Sequence, residues 1–235
     1  MNLFGFLKKN KNYYDHIISL GYNCEVSFQF FKKYGFVESS LFAWVNTLNI
    51  ENIIYAINHL DKIGSGKLEN INPMWKCFNT NISFHGKAPM DMWANNPTKE
   101  MIENDKCELL QRIAYLKNKF LNTGMDGKNN LYIFKYPSNN YTQKHVINEI
   151  NKLFSSLRKI VTNNFDLLII LEKTFYPDIK IDNKNIIVRR VDFFTPEDDV
   201  TTKNNDKKHW RKIFSEFRPN FKLKKSKKFK FEEID

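Results

Sequence analysis

The chain has 235 residues, enough for one domain of ordinary to large size with a substantial core. Apolar residues make up 42% of it, including 21 Phe and 10 Tyr, and this composition excludes an intrinsically disordered protein. The net charge of +11 would suit nucleic-acid binding, but no nucleic-acid-binding motif accompanies it. No apolar run is long enough to cross a membrane, so we expect no transmembrane segment.

The two ends of the chain and its cysteines indicate a cytoplasmic protein. Residues 1–13 place apolar side chains before lysines, the reverse of a secretory signal, and we interpret them as a flexible terminus. Residues 218–235 form a lysine-rich tail, which we expect to be solvated or to bind an anionic partner such as a phosphate, a glycan or a membrane surface. Cys24, Cys77 and Cys107 lack metal-ligand spacing, which favours reduced thiols, and we expect no metal or cofactor.

Between these ends, residues 14–217 predict a single α/β domain. Short apolar runs bounded by polar turns predict strands buried on both faces of a parallel sheet: Ile17–Leu20, Leu131–Tyr136, Leu167–Leu171 and Ile186–Val191. Helical periodicity predicts the helices that cover this sheet: one after Cys24, then Asn49–Leu60, Lys99–Phe120, Thr142–Val161 with Thr142 as N-cap, and Lys208–Phe217. Residues 61–97 show little periodicity, and we interpret them as an irregular loop that shapes a cleft.

Cys24 is the strongest candidate for a catalytic residue in the sequence. It follows the first predicted strand through a Ser-Leu-Gly turn and begins a helix, and ligands of open parallel sheets bind beyond the carboxyl ends of strands. The positive end of the helix dipole would favour the nucleophilic thiolate. Gly21 would form the tight turn, and Asn23 would place an amide donor beside the thiol. The backbone amides near Gly21–Cys24 would form an oxyanion hole. The alternative is a buried cysteine that packs as a small hydrophobe.

A cysteine nucleophile needs a base, and two of the histidines are suitably placed for this role. His209 follows Asp206 by three residues, so that the carboxylate could orient the imidazole as in a catalytic triad. Asp206 would otherwise be the N-cap of the last helix. His85 ends a short strand-like run, and Asp91 and Asp192 are further orienting carboxylates. On the sequence alone the base remains open between the two histidines.

Two resemblances add to this interpretation. The Asp-x-x-His spacing of Asp206 and His209 resembles the last sequence block of SGNH hydrolases, whose nucleophile also follows the first strand. The segment Ile17-Ile-Ser-Leu-Gly-Tyr-Asn-Cys24, followed by a helix and then by Ser39-Ser-Leu-Phe-Ala-Trp44, resembles an uncharacterised family of papain-like cysteine peptidases. Members of that family open with Ser-Leu-Gly-x-x-Cys and continue with a Ser-x-Pro-Phe-Asp-Trp-like segment.

The resemblance to the peptidase-like family implies further features across residues 14–217. It implies a histidine near His85, an arginine-bearing helix like that around Arg112, and a closing Asp-x-x-x-Trp that ends at Trp210. The chain departs from the family at Ala43, where the family has Asp. A papain-like fold would place the cysteine on a long helix against an antiparallel sheet that carries the histidine. It is therefore the alternative to the SGNH-like or Rossmann-like layering that the β/α alternation favours.

The sequence predicts an enzyme of acyl-transfer type with Cys24 as nucleophile, His209 or His85 as base and Asp206 as the orienting group. Trp44 is a candidate substrate-binding residue, although it and Phe42 would also fit a core. The resemblance implies a peptidase-like hydrolase acting on peptides. One alternative is an acyltransferase that modifies surface or capsular polysaccharide, since the opening also resembles the Gly-Asn-Cys start of a capsule-biosynthesis family. Another is a non-catalytic binding protein on the same scaffold.

Overall fold

The computed structural model describes residues 12–35, 39–47, 49–71, 74–86, 97–195 and 206–220. In chain order the strands of this part are β1 (Asn12–Tyr14), β2 (His16–Ser19), β3 (Val45–Thr47), β4 (Leu68–Asn70), β5 (Met74–Cys77), β6 (Ile82–His85), β7 (Asn130–Lys135), β8 (Phe165–Glu172), β9 (Ile186–Val191) and β10 (Phe217–Pro219). The helices are α1 (Glu25–Tyr34), α2 (Ile50–Asn58), α3 (Lys99–Met125), α4 (Gln143–Ile160) and α5 (Lys207–Glu216). A 3₁₀ turn at Leu60–Lys62 follows α2.

The main sheet consists of four parallel strands in the order β2-β7-β8-β9. These are the four strands that the apolar runs predicted. Every residue of the central strand β7 is buried, because helices cover both faces of the sheet. The expectation of an α/β chain with a parallel sheet flanked by helices is therefore confirmed.

Side chains alternate between the two faces of this sheet and build two cores. Tyr132 and Phe134 of β7 pack with apolar residues of α2, α3 and α4. Leu131 and Ile133 point the other way and pack with α1 and α5. The helix α1, which Cys24 precedes, therefore lies on the opposite face of the sheet from α2 and α4.

A second sheet is antiparallel and has the order β3-β6-β5-β4. Three of its strands lie in the segment 61–97 that we expected to be irregular, so that expectation is wrong for β4 and β5, while the strand-like run that ends at His85 is confirmed as β6. These strands have only three or four residues each, too few for a clear period in the sequence. Tertiary packing stabilises them, since Trp75, Cys77, Ile82 and Phe84 all enter the larger core.

The helix boundaries follow from local capping and from contacts at the helix ends. The Thr142 hydroxyl accepts from the backbone N–H of His145, which confirms Thr142 as the N-cap of α4. Helix α3 continues to Met125, five residues beyond the predicted end. The carbonyl of Gly124 accepts from the N–H of Thr162 and of Asn163, which stabilises this last turn by contacts that no local pattern reveals.

The strands β1 and β10 form a separate parallel pair, in which Tyr13 pairs with Arg218. This pair joins residues on both sides of the predicted domain limits at 14 and 217. Residues 1–11 of the expected flexible terminus and residues 221–235 of the lysine-rich tail lie outside the described residues. In the part of the chain that is described, no helix has the length and apolarity needed to cross a bilayer.

Candidate active site at Cys24

The turn that carries Cys24 has an unusual backbone. Gly21 and Tyr22 have φ angles of 89° and 74°, a conformation that L side chains seldom adopt. A Cβ atom on Gly21 would lie 2.6 Å from the Cγ2 atom of Val45, so no side chain fits there. Backbone strain of this kind is concentrated at functional sites, because the surrounding structure must hold it in place. The turn delivers Cys24 to the N-cap of α1.

The contacts of this turn refine the roles expected for its residues. The amide N–H of Gly21 donates to the Ser19 hydroxyl over 3.4 Å. The side-chain carbonyl of Asn23 accepts from the N–H of Glu25 over 3.1 Å, so Asn23 satisfies a helix N–H that would otherwise lack a partner. Both residues thus fix the turn and the start of α1, between which Cys24 lies.

His85 is the histidine that lies beside Cys24. The thiol Sγ and the imidazole Nε2 are 3.7 Å apart, within hydrogen-bonding range for sulfur. Cys24 follows β2 of the parallel sheet, and His85 ends β6 of the antiparallel sheet. The pair therefore forms where the two sheets meet, between residues 61 positions apart in the chain.

Burial keeps both members of this pair uncharged. It raises the pKa of the Cys24 thiol to about 11. Burial also lowers the pKa of His85, and the positive charge of Arg112 lowers it further. The expectation of a thiolate favoured by the helix dipole is wrong in direction. A helix dipole contributes about 0.3–1 kcal/mol at a helix end, whereas the rise from an ordinary 9.0 to about 11 corresponds to about 3 kcal/mol.

Helix α3 anchors the strand end that carries His85. The guanidinium of Arg112 donates to the backbone carbonyl of His85. Seven residues earlier on α3, the buried carboxylate of Asp105 accepts from the indole N–H of Trp75 over 2.7 Å. A Cβ on Gly86 would collide with the same carboxylate. These contacts fix the backbone at His85. The helical spacing of Asp105 with the buried Leu109 and Ile113 was the sequence signal that could have identified Asp105 as a residue facing the core.

The segment that resembles the second family motif packs on the first turn of α1. The Ser27 hydroxyl donates to the carbonyl of Ala43 over 2.7 Å, and Ala43 itself is fully buried. Trp44 is half-buried and makes an edge-to-face contact with Phe28, whose ring centroid is 5.2 Å away. Because Phe28 lies one helical turn after Cys24, Trp44 flanks the face of α1 that carries the thiol. Phe42, by contrast, is a core residue with no exposure.

A buried ion pair lies next to Cys24 and was not predicted. The ammonium of Lys135, at the end of β7, is 2.7 Å from the Glu25 carboxylate, and both side chains are almost completely buried. The other Glu25 oxygen accepts from the N–H and the hydroxyl of Thr195. The Lys135 ammonium also lies 4.4 Å from the ring centroid of Phe194. This network ties the start of α1 to the carboxyl end of the parallel sheet.

The second predicted base, His209, forms a separate site. Its Nδ1 atom lies 2.7 Å from one oxygen of Asp206 and 3.6 Å from Asp192. Asp206 also caps α5 by accepting from the backbone N–H of His209, so the orienting and capping roles coexist. Within the described residues, no hydrogen bond or ion pair joins His209 to Cys24. The structure therefore brings Cys24 to His85 and Asp206 to His209, while Asp91 lies outside the described residues.

Hydrogen bonding keeps Asp206 ionised. Burial by itself would raise its pKa, but the N–H of Asp192 and both the ring and the N–H of His209 bond its carboxylate. These bonds outweigh the burial and lower the pKa of Asp206 below its ordinary value.

Comparison of the chain with protein-family models, with curated proteins and with solved structures found no match. The function is therefore inferred from the geometry of the Cys24 site.

Proposed function

We propose that this protein is a thiol enzyme of acyl-transfer type, in which Cys24 is the nucleophile and His85 is its base. The observation that carries this proposal is the 3.7 Å contact between the thiol and the imidazole at the end of a strained turn. A nucleophile and a base within reach of one another are the minimum that covalent catalysis requires. The surrounding buried contacts hold both backbones in place, as a preorganised site needs.

The neutral state of the pair defines the first step. Neutral His85 accepts the thiol proton at Nε2 while Sγ forms a bond to the carbonyl carbon of the acyl donor. The carbonyl π electrons move to oxygen, and the backbone N–H groups of Asn23 and Cys24 are the proposed donors to this oxyanion. When the tetrahedral intermediate collapses, the bond to the leaving group breaks and the leaving group takes the proton from His85. The product is a thioester on Cys24.

The second step reverses these roles with another nucleophile. His85 removes a proton from water or from an acceptor hydroxyl, whose oxygen attacks the thioester carbon. The carbon–sulfur bond then breaks, and Sγ recovers its proton from His85. Water as the acceptor gives a hydrolase, and a sugar hydroxyl gives an acyltransferase that modifies a glycan.

The peptidase-like resemblance supports the hydrolase as the first candidate. It implies a histidine near His85, and His85 is the histidine that contacts the Cys24 thiol. The ten-residue α1 packs on the parallel sheet, unlike the long helix of a papain-like fold. Polysaccharide acyltransfer is the second candidate. The half-buried Trp44 beside α1 favours it, because sugar rings stack well on an aromatic face.

The binding-protein alternative depends on Ala43. The side chain at this position is fully buried, where the chain carries a methyl group instead of the carboxylate of the family. The 3.7 Å contact between the Cys24 thiol and the His85 imidazole does not involve Ala43, so we propose that catalysis survives without the carboxylate.

The test is incubation of the full chain with acyl thioesters of coenzyme A and of N-acetylcysteamine, followed by intact-mass measurement. We expect one acyl adduct that is lost in Cys24→Ser and slowed at least about 100-fold in His85→Ala, the lower end of general-base contributions. Cys107→Ser is the matched control, because this cysteine is exposed on α3, and it should acylate like the wild type.

The acceptor separates the two candidate reactions. Loss of the adduct in water alone indicates a hydrolase, and loss only with added oligosaccharide indicates an acyltransferase. Labelling by peptidyl electrophiles but not by thioesters would indicate a peptidase. A wild-type chain that reacts with none of these reagents, or an adduct that persists in Cys24→Ser, would refute the proposal.

A further inference from the structure

A second group of titratable side chains lies at the N-terminal ends of two packed helices, on the face of the sheet opposite α1. Glu51 is in the first turn of α2, and His145 and Glu149 are one turn apart on α4. The four-residue spacing places His145 and Glu149 on the same side of α4. One potential ligand atom from each of the three side chains lies within 4.8 Å of the other two.

Glu149 carries the feature that points to a ligand. Its side chain is only 3% exposed, yet its Oε1 atom has no hydrogen-bond partner among the described residues. The other oxygen, Oε2, accepts from the hydroxyl of the fully buried Tyr136. Buried carboxylate oxygens are nearly always bonded, because an unsatisfied acceptor loses its hydration without compensation. The unpartnered oxygen faces His145, whose Nε2 atom is 3.2 Å away.

We propose that Glu51, His145 and Glu149 bind a divalent transition-metal cation, with Zn²⁺ as the preferred ion. One imidazole nitrogen and two carboxylate oxygens are a ligand set that zinc accepts at about 2.0–2.2 Å. Tetrahedral coordination at these lengths places ligand atoms about 3.4 Å apart. The 3.2 Å between His145 and Glu149 already meets this spacing, and the Glu51 carboxylate needs only a small side-chain movement to do so.

The surroundings of the three side chains suit a metal site. Tyr136 holds one oxygen of Glu149 and thereby directs the other toward the cluster. The ring of Tyr141 packs on the His145 imidazole with centroids 4.6 Å apart, which restricts the orientation of the ligand. His145 is 42% exposed and Glu51 is on the surface, so a fourth ligand such as water can reach the ion.

Among the described residues, a second group of carboxylates with a histidine has no buried oxygen without a hydrogen bond. In the group of Asp192, Asp206 and His209, both oxygens of Asp206 already accept hydrogen bonds from backbone or ring N–H groups. A cation there would have to replace these bonds. In the Glu149 cluster, Oε1 has no hydrogen bond to lose, and its 3.2 Å ion pair with His145 joins two of the proposed ligands. The proposal does not depend on the chemistry of Cys24.

The test is titration of the full chain with Zn²⁺ by calorimetry, and with Co²⁺ by visible absorption as a probe of the coordination geometry. We expect one tight site, with affinity reduced at least tenfold in Glu51→Gln and in His145→Ala. Both replaced side chains are exposed, so the variants should keep the unfolding temperature of the metal-free wild type. His59→Ala is the matched control, since this exposed histidine follows α2 about 12 Å from Glu51 and should bind zinc unchanged.

Cys24→Ser tests the competing zinc ligands, the thiol and imidazole of the Cys24 site, and should leave the affinity unchanged. A site with a micromolar dissociation constant is saturated when the Zn²⁺ concentration is about 100 times that constant. A wild-type chain that binds no Zn²⁺ at this concentration overturns the proposal. Equal affinity in Glu51→Gln, His145→Ala and the wild type also overturns it. Binding of Mg²⁺ or Ca²⁺ in place of Zn²⁺ would overturn the choice of a transition metal.

Discussion

The protonation state of Cys24 can be measured by raising the pH and following alkylation of the thiol. Only the thiolate reacts. With a pKa of about 11, about one thiol in 10⁴ is ionised at pH 7, against about one in 100 for a pKa of 9.0. The more basic thiolate is intrinsically more reactive and recovers a factor of about eight. Cys24 should therefore react about tenfold more slowly at pH 7 than a thiol of pKa 9.0, before any steric shielding.

The assay is reaction with iodoacetamide between pH 6 and pH 10, quantified at each cysteine by peptide mass spectrometry. Steric shielding lowers the rate by the same factor at every pH, so the shape of the profile isolates the ionisation. We expect the Cys24 rate to rise about tenfold per pH unit over the whole range, because the pKa lies above it. Exposed Cys107 in the same sample controls for reagent loss, and circular dichroism at each pH verifies that the chain stays folded.

The variant His85→Ala separates burial from ion pairing as the cause of this profile. If burial determines the thiol pKa, the variant should keep a profile that is still rising at pH 10. A wild-type profile that levels off below pH 8.5, and that moves to higher pH in His85→Ala, would show a thiolate paired with an imidazolium. That result would refute the neutral pair and the order of proton transfer proposed above.

Two further predictions concern the structural support of the site. Lys135→Met leaves the Glu25 carboxylate buried without its cation and should lower the free energy of unfolding by about 3–5 kcal/mol in urea titrations. Part of this lost stability should return in the double variant Glu25→Gln/Lys135→Met. A loss below about 1 kcal/mol in Lys135→Met would contradict the burial of the pair. Gly21→Ala should lower the thermal unfolding temperature more than Gly35→Ala does. Both glycines have positive φ, but of the two only Gly21 would bring its new Cβ into a clash, 2.6 Å from the Val45 Cγ2 methyl. Equal losses would show that the turn before Cys24 has room to adjust.

The regular elements of the parallel sheet could be predicted because their signals are local. The run Ile186–Val191 is bounded by turns on both sides, and its predicted limits match those of β9. The N-cap of α4 needs only Thr142 and the helix that follows it. The short strands β4 and β5 could not be predicted in this way, because they are stabilised by the core that they help to build.

The position of Cys24 after a parallel strand and at a helix start was evident from the sequence, since a turn and a helix onset are encoded within a few residues. The sequence by itself also limited the candidate bases to His85 and His209. Only the tertiary structure placed His85 at 3.7 Å from the thiol. The contact depends on how the two sheets pack together, because the two residues are 61 positions apart in the chain. It also reversed the expected pKa of Cys24, since burial is a property of the whole fold and outweighs the local helix dipole.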